Sequence, residues 1–125
     1  MLTRGEIAIQ AELHRSGRWV TIPLDIGGVH AISAVLDTGS PVSAISPGSE
    51  QDLLRDGLLQ PGTLPRRHRL TRLRSQDQEL PDIEVAVLNR LDRIGVDGLL
   101  GLDFLTNFER IHFHTRSLRL VLERA

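Results

Sequence analysis

Val35-Leu36-Asp37-Thr38-Gly39-Ser40-Pro41 sets a polar turn between two apolar runs, the second continuing through Val42, Ala44 and Ile45. Apolar residues on both sides of such a turn predict two buried strands with the loop held rigidly between them. Asp37 stands where the chain leaves the first strand, so its carboxylate rests on a stiff frame. Gly39 has no side chain to keep backbone N–H groups away from that carboxylate, and Thr38 brings a hydroxyl that can tie the loop to a neighbour. Alone, an Asp-Thr-Gly turn is common loop chemistry, so its meaning depends on the surrounding sequence.

Upstream, Ile7, Ile9 and Ala11 alternate with polar neighbours, and Trp19 to Ile26 is rich in β-formers. Gly27-Gly28 signals a tight hairpin from which the chain returns through Val29 to Leu36. Downstream, Ser46-Pro47 ahead of Glu50 to Arg55 predicts a short helix, with Ser46 as N-cap, proline at the first helical position and Gly57 as terminator. Leu58 to Arg67 is irregular, with a Pro61-Gly62 turn. Arg69 to Ala86 predicts a hairpin centred on Ser75 to Gln78. It sets Arg74 opposite Glu79, Leu73 opposite Leu80, Leu70 opposite Ile83 and Arg69 opposite Glu84, so unlike charges meet and apolar residues meet. This pairing accounts for the five arginines between Arg66 and Arg74 as a solvated face rather than a nucleic-acid site. Farther on, Gly98 to Leu105 leads through a short helix to Asn107, followed by strands from Glu109 to His114 and Leu118 to Leu122.

The 125 residues fit one domain, 1–125, with enough chain to bury a real core. The 15 basic side chains are balanced by 16 acidic ones, so bulk charge implies neither nucleic acid nor an anionic membrane as partner. Absence of cysteine excludes disulfides, thiolate catalysis and cysteine-ligated zinc. Met1 to Leu13 is interrupted by Arg4, Glu6 and Glu12, and no segment approaches the ~18 apolar residues of a membrane span, so a cytoplasmic protein is expected. His112 and His114 share one strand face without a third ligand nearby, which predicts solvent-facing histidines rather than a metal site. Trp19 is expected in the core or an interface, Asp103 to cap or brace the short helix, and Asp97 to form a turn with Gly98.

Val35 to Ser40 resembles the active-site motif of retropepsin-like aspartic peptidases, and Leu99-Leu100-Gly101 resembles the second motif that packs behind it. The likeness extends over about residues 17 to 122. It implies an all-β, retropepsin-like fold, a pseudo-barrel of antiparallel strands with one short C-terminal helix, active as a two-fold homodimer. Such an enzyme, an aspartic endopeptidase, uses two carboxylates ~3 Å apart that share one proton. The ionised one takes a proton from the attacking water, and the protonated one hydrogen-bonds the scissile carbonyl. With one Asp-Thr-Gly per chain, the second carboxylate comes from Asp37 of a second copy. By the same resemblance, Asp37, Thr38 and Gly39 form the catalytic loop, with Thr38 bonding across the two-fold axis. Gly39, Ser40 and Gly62 contact substrate, and Leu99, Leu100 and Gly101 support the loop. The expected substrate is a peptide or protein bound as an extended strand, and no metal or organic cofactor is implied.

Three features depart from the family pattern. Ser40 stands where alanine is common and carries a hydroxyl able to donate to the ionised carboxylate. Pro41 and Leu102 replace an aspartate–arginine ion pair, so an apolar contact between them is expected, with Leu118 to Leu122 contributing the dimer interface. The segment able to close over substrate, Leu58 to Arg67, is short, holds two prolines and has Gly62 as its only tip glycine. A reduced closing hairpin raises the alternative of a catalytically weak or inactive dimer that serves as a peptide-binding or scaffold module.

Overall fold

The structure, a computed structural model, describes residues 7–16 and 19–124. Residues 1–6, with Arg4 and Glu6, and the side chains of Ile7, Ile9 and Glu12 lie outside the described part. The strands are β1 (Ile7–Glu12), β2 (His14–Ser16), β3 (Trp19–Ile26), β4 (His30–Leu36), β5 (Ser43–Ile45), β6 (Gln60–Pro61) and β7 (His68–Leu70). They continue as β8 (Leu73–Ser75), β9 (Gln78–Glu79), β10 (Ile83–Val87), β11 (Gly98–Leu100), β12 (Arg110–His114) and β13 (Arg119–Glu123). Three short helices interrupt them: α1 (Pro47–Arg55), α2 (Arg90–Arg93) and α3 (Leu102–Leu105).

The larger sheet runs β6-β7-β10-β5-β11-β4-β3-β8-β9, with β2 also on β3, and a smaller one runs β1-β13-β12. The 69–86 hairpin rolls the larger sheet. Its cross-strand register is the expected one: Leu70 faces Ile83, Arg69 faces Glu84 and Arg74 faces Glu79, and the Leu80 N–H donates to the Leu73 carbonyl at 2.9 Å. Each arm is broken into two pieces, one at Arg72, which takes a φ of +53°. Of its pieces, β10 pairs with β5 and β8 pairs with β3, so a single hairpin touches both flanks and curls the sheet into a half-barrel. Arg74 lies 3.7 Å from Glu79 and Arg69 3.0 Å from Asp82, so these two arginines of the segment are ion-paired on its solvent face.

The interior follows from the two-residue period of the strands. Along β3, Ile22, Leu24 and Ile26 are buried while Pro23 and Asp25 are half-buried. With Leu53, Phe104, Leu120 and Leu122 they form one core, each large side chain contributing ~1.5–3 kcal/mol by leaving water. The helix α1 forms where its signals stand: Ser46 accepts the Ser49 N–H at 3.1 Å, Pro47 opens the first turn, and Gly57 follows the end with a φ of +69°. Among the described residues no helix is long and apolar enough to cross a membrane.

The structure differs from expectation at three places. Gly98 opens a strand instead of a turn with Asp97, because its N-terminal neighbours feed directly into the β4–β5 gap. Leu58 to Arg67 is not wholly irregular, since Gln60 and Pro61 pair with Arg69 and His68. The helix α2 adds a turn between β10 and β11. In the smaller sheet β13 lies between β1 and β12, which are its outer strands.

Candidate active site

The strands that enter and leave the Asp37 loop, β4 and β5, are not neighbours, because β11 is threaded between them, parallel to β4 and antiparallel to β5. Leu99 and Leu100 are therefore buried directly behind the loop, and the Leu100 carbonyl accepts the Asp37 N–H at 2.9 Å. Asp37 is half-buried, and its Oδ1 accepts the Gly39 N–H at 2.8 Å. A side chain at residue 39 would start 3.1 Å from that same oxygen, so glycine keeps the approach open. Thr38 and Gly39 are exposed, and among the described residues the Thr38 hydroxyl has no side-chain partner within the chain.

Gly101 is the tightest point of the site. A Cβ there would sit 2.6 Å from both the Ser40 and Val42 carbonyl oxygens, a separation that backbone atoms cannot relieve without moving the loop. Those carbonyls are in use: Ser40 O accepts the Leu102 N–H at 2.8 Å, and Val42 O accepts the Ser40 hydroxyl at 2.7 Å. Ser40 is thus buried and spends its only hydroxyl proton on Val42, so the expected donation to Asp37 does not occur. Pro41 and Leu102, expected in apolar contact, are both exposed in the single chain.

Ser43 and Asp103 lock the loop from below. The fully buried Ser43 hydroxyl donates to Asp103 Oδ1 at 2.6 Å and accepts the Gly101 N–H at 2.9 Å, while the Ser43 N–H donates to Asp103 Oδ2 at 3.0 Å. Asp103 Oδ1 also accepts the Phe104 N–H at 2.8 Å, so the bracing expected of Asp103 reaches both α3 and β5. Ser43 was not singled out by sequence; its signal was a lone hydroxyl inside an otherwise apolar run, Val42-Ala44-Ile45.

Beside Asp37 opens a cavity of about 210 Å³, lined by Trp19, Val35, Arg90, Leu91, Ile94, Val96 and Leu99 as well as Asp37 itself. A dry cavity of ~150 Å³ accepts benzene, so this one has room for a large apolar side chain. Three of its lining residues come from α2 and the residue after it, a wall missed because the Leu91–Ile94 spacing before Gly95 is a very short helical signal. Trp19 and Val96 also line a smaller hollow of about 100 Å³ with Thr21, Ser33, Gly95 and Asp97. Asp97 Oδ2 accepts the Ser33 N–H there at 3.1 Å.

Gly62 lies in the β6–β7 hairpin, where its N–H donates to Arg67 O at 3.1 Å and a Cβ would meet the Arg67 Cβ at 2.8 Å. It is not among the residues lining the Asp37 cavity. Glu84 tethers this hairpin, with Oε1 accepting the Thr63 N–H at 2.6 Å. Hydrogen bonds from Thr63, side chain first and backbone second, hold the Glu84 carboxyl below its usual 4.5, with Arg69 and Arg67 adding to the effect. His68 Nε2 lies 2.6 Å from Glu50 Oε2, which ties the base of the hairpin to α1. His112 and His114 are both exposed, as expected, and no cluster of metal-ligating side chains occurs among the described residues.

A rolled β-sheet in which an apolar-apolar-glycine strand passes behind an Asp-Thr-Gly loop defines a retropepsin-like fold. The chain is similar to a retropepsin-like aspartic protease from Rickettsia conorii, with 20% identity over 93% of this chain and 89% of that one and a TM-score of 0.58. It is likewise similar to the retroviral protease-like domain of Ddi1 from Leishmania major, with 14% identity over 90% of this chain and 96% of that one and a TM-score of 0.59. Neither a family model nor a curated protein sequence matches the chain. At these identities the likeness is one of fold.

Proposed function

We propose that the chain is an aspartic endopeptidase whose catalytic dyad is Asp37 from each of two copies. The observation that carries this reading is the Asp37 carboxylate, held by the Gly39 N–H at 2.8 Å on a loop clamped to Leu100 and open to a 210 Å³ apolar cavity. An acid positioned this rigidly needs no reorganisation when charge develops. Two such carboxylates ~3 Å apart cannot both ionise, so one deprotonates water while the other, protonated, hydrogen-bonds the scissile carbonyl. The exposed Thr38 is available to bond across the two-fold axis, and the exposed Gly39 to meet substrate backbone. An extended peptide turns alternate side chains to one face, and the Asp37 cavity takes a large apolar one. Gly62 and the β6–β7 hairpin act as a reduced cover over the bound strand.

The test is cleavage of a diverse peptide mixture between about pH 3 and 7, the range in which carboxylate dyads titrate, with Asp37→Asn run alongside. Cleavage that falls by about 10²–10⁴-fold in the variant, with its circular dichroism unchanged, supports the peptidase. Equal cleavage by both proteins overturns it, and tight peptide binding without cleavage at any pH returns the scaffold reading.

A further inference from the structure

Asp37 apart, the cavity beside it has one charged residue in an apolar lining. Leu91, Val96 and Leu99 are buried there, and Trp19 and Val35 pack against the small core that Leu91 and Val96 share with Ala44. The exception is Arg90, which opens α2 and is exposed. Its main chain is fixed, because the Ile94 N–H donates to the Arg90 carbonyl at 3.2 Å and the Val96 N–H closes the segment onto the Leu91 carbonyl at 3.0 Å. Its side chain is not spent. Arg55, Arg69, Arg74 and Arg110 each lie in an ion pair, whereas Arg90 makes no ion pair or side-chain hydrogen bond among the described residues. A guanidinium on a rigid wall, with five donors and no acceptor of its own, presents a fork that fits a carboxylate.

We propose that Arg90 determines specificity at this cavity, selecting peptides that carry a carboxylate side chain two residues from the large apolar one that fills it. The inference rests on the proposed peptidase and names its substrate class. Asp37 borders the cavity, so an acidic side chain inside it meets a like charge. The cavity is thereby left to an apolar group, and the acid belongs outside it, where Arg90 is exposed. In an extended peptide adjacent side chains point to opposite faces, while those at i and i+2 share a face about 6.6 Å apart. The residue two along from the apolar one is therefore the next to face the same wall. Two copies of the chain set the cavity and its Arg90 on both sides of the scissile bond. The preferred sequence then reads alike in either direction from that bond: apolar on each side of it, acidic two residues farther out. Lysine at the outer positions sets cation against cation, so the site discriminates by repulsion as well as by attraction.

Three blocked peptides carry the test, with cores Glu-Ala-Leu-Leu-Ala-Glu, Gln-Ala-Leu-Leu-Ala-Gln and Lys-Ala-Leu-Leu-Ala-Lys, at about pH 5.5, where glutamate is ionised. Their kcat/KM values are measured with the full chain and with its Arg90→Gln and Arg90→Glu variants. Ratios between peptides are taken within each protein, so that a change in folding or overall activity cancels. The chain has one tryptophan and no tyrosine, and that tryptophan lines the cavity. Trp19 emission therefore reports binding without turnover, read in the same three proteins carrying Asp37→Asn. A hydrogen bond to a charged group changes affinity by about tenfold or more, so wild type should favour the glutamate peptide over the glutamine one by about tenfold, with lysine last. That ratio should fall close to one in Arg90→Gln, and lysine should come first in Arg90→Glu. The same order of peptides in all three proteins overturns the inference and leaves Arg90 a solvated surface residue, as does the absence of both charge-dependent cleavage and any Trp19 response. Charge-dependent binding with no cleavage of any peptide sinks the peptidase and leaves the recognition standing, and Asp37-dependent cleavage that ignores the outer charges does the reverse.

Discussion

Gly101 and Ser43 hold the Asp37 loop by opposite means, one by having no side chain and the other by having a buried hydroxyl. Gly101→Ala pushes a methyl group to 2.6 Å from two backbone carbonyl oxygens that are themselves hydrogen-bonded. Such overpacking costs about 1–3 kcal/mol, to be read as a lowered urea midpoint, with peptide cleavage lost more steeply because the displaced backbone is that of Ser40 and Val42. Ser43→Ala strands the Gly101 N–H and removes a partner from Asp103, and an unsatisfied buried donor costs about 1–3 kcal/mol. Unchanged stability in Ser43→Ala would mean that water replaces the hydroxyl. The Asp37 and Gly101 signals stood in the sequence because each is a chemical requirement at one position. Ser43 did not stand out, since only the fold brings it to within hydrogen-bonding distance of residues 101 and 103.

The 69–86 hairpin shows how far one element can be read from its own residues. Its register was legible because Arg74 with Glu79 and Leu70 with Ile83 satisfy charge and burial together. Its bend was not, because the break at Arg72 answers to β3 and β5, which lie far away in the chain. The neighbouring β6–β7 hairpin depends on Glu84. Since the folded Glu84 carboxyl lies below 4.5, its tether to Thr63 is present above that value and is lost as pH falls through the lower folded value. Hydrogen-exchange protection of the Thr63 amide should therefore be full near neutrality, decline in strong acid, and be lost at every pH in Glu84→Ala, which keeps no acceptor. Protection that does not change from neutrality to strong acid would show that another acceptor holds the loop.

Each chain carries one Asp-Thr-Gly, so the proposed dyad requires a second copy. If the dyad forms between copies, the rate of cleavage rises with about the square of protein concentration below the dimer dissociation constant and linearly above it. A strictly linear dependence from the lowest concentration, with sedimentation showing a monomer, would rule out a shared site. The rolled sheet presents Asp37 and its cavity, and β12 is an outer strand of the smaller one.

Local chemistry was enough to place the Asp37 loop, the capped helix α1, the β3–β4 turn at Gly27-Gly28 and the cross-strand pairs of the 69–86 hairpin, because each depends on residues close in the chain or on a two-residue period. Tertiary structure decided the rest. It threaded β11 between β4 and β5, turned the Ser40 hydroxyl to Val42 instead of Asp37, built the cavity wall from α2, and set β13 between β1 and β12. These outcomes depend on which distant segments compete for the same hydrogen bonds and the same buried space, and periodicity along a single segment carries no record of that competition.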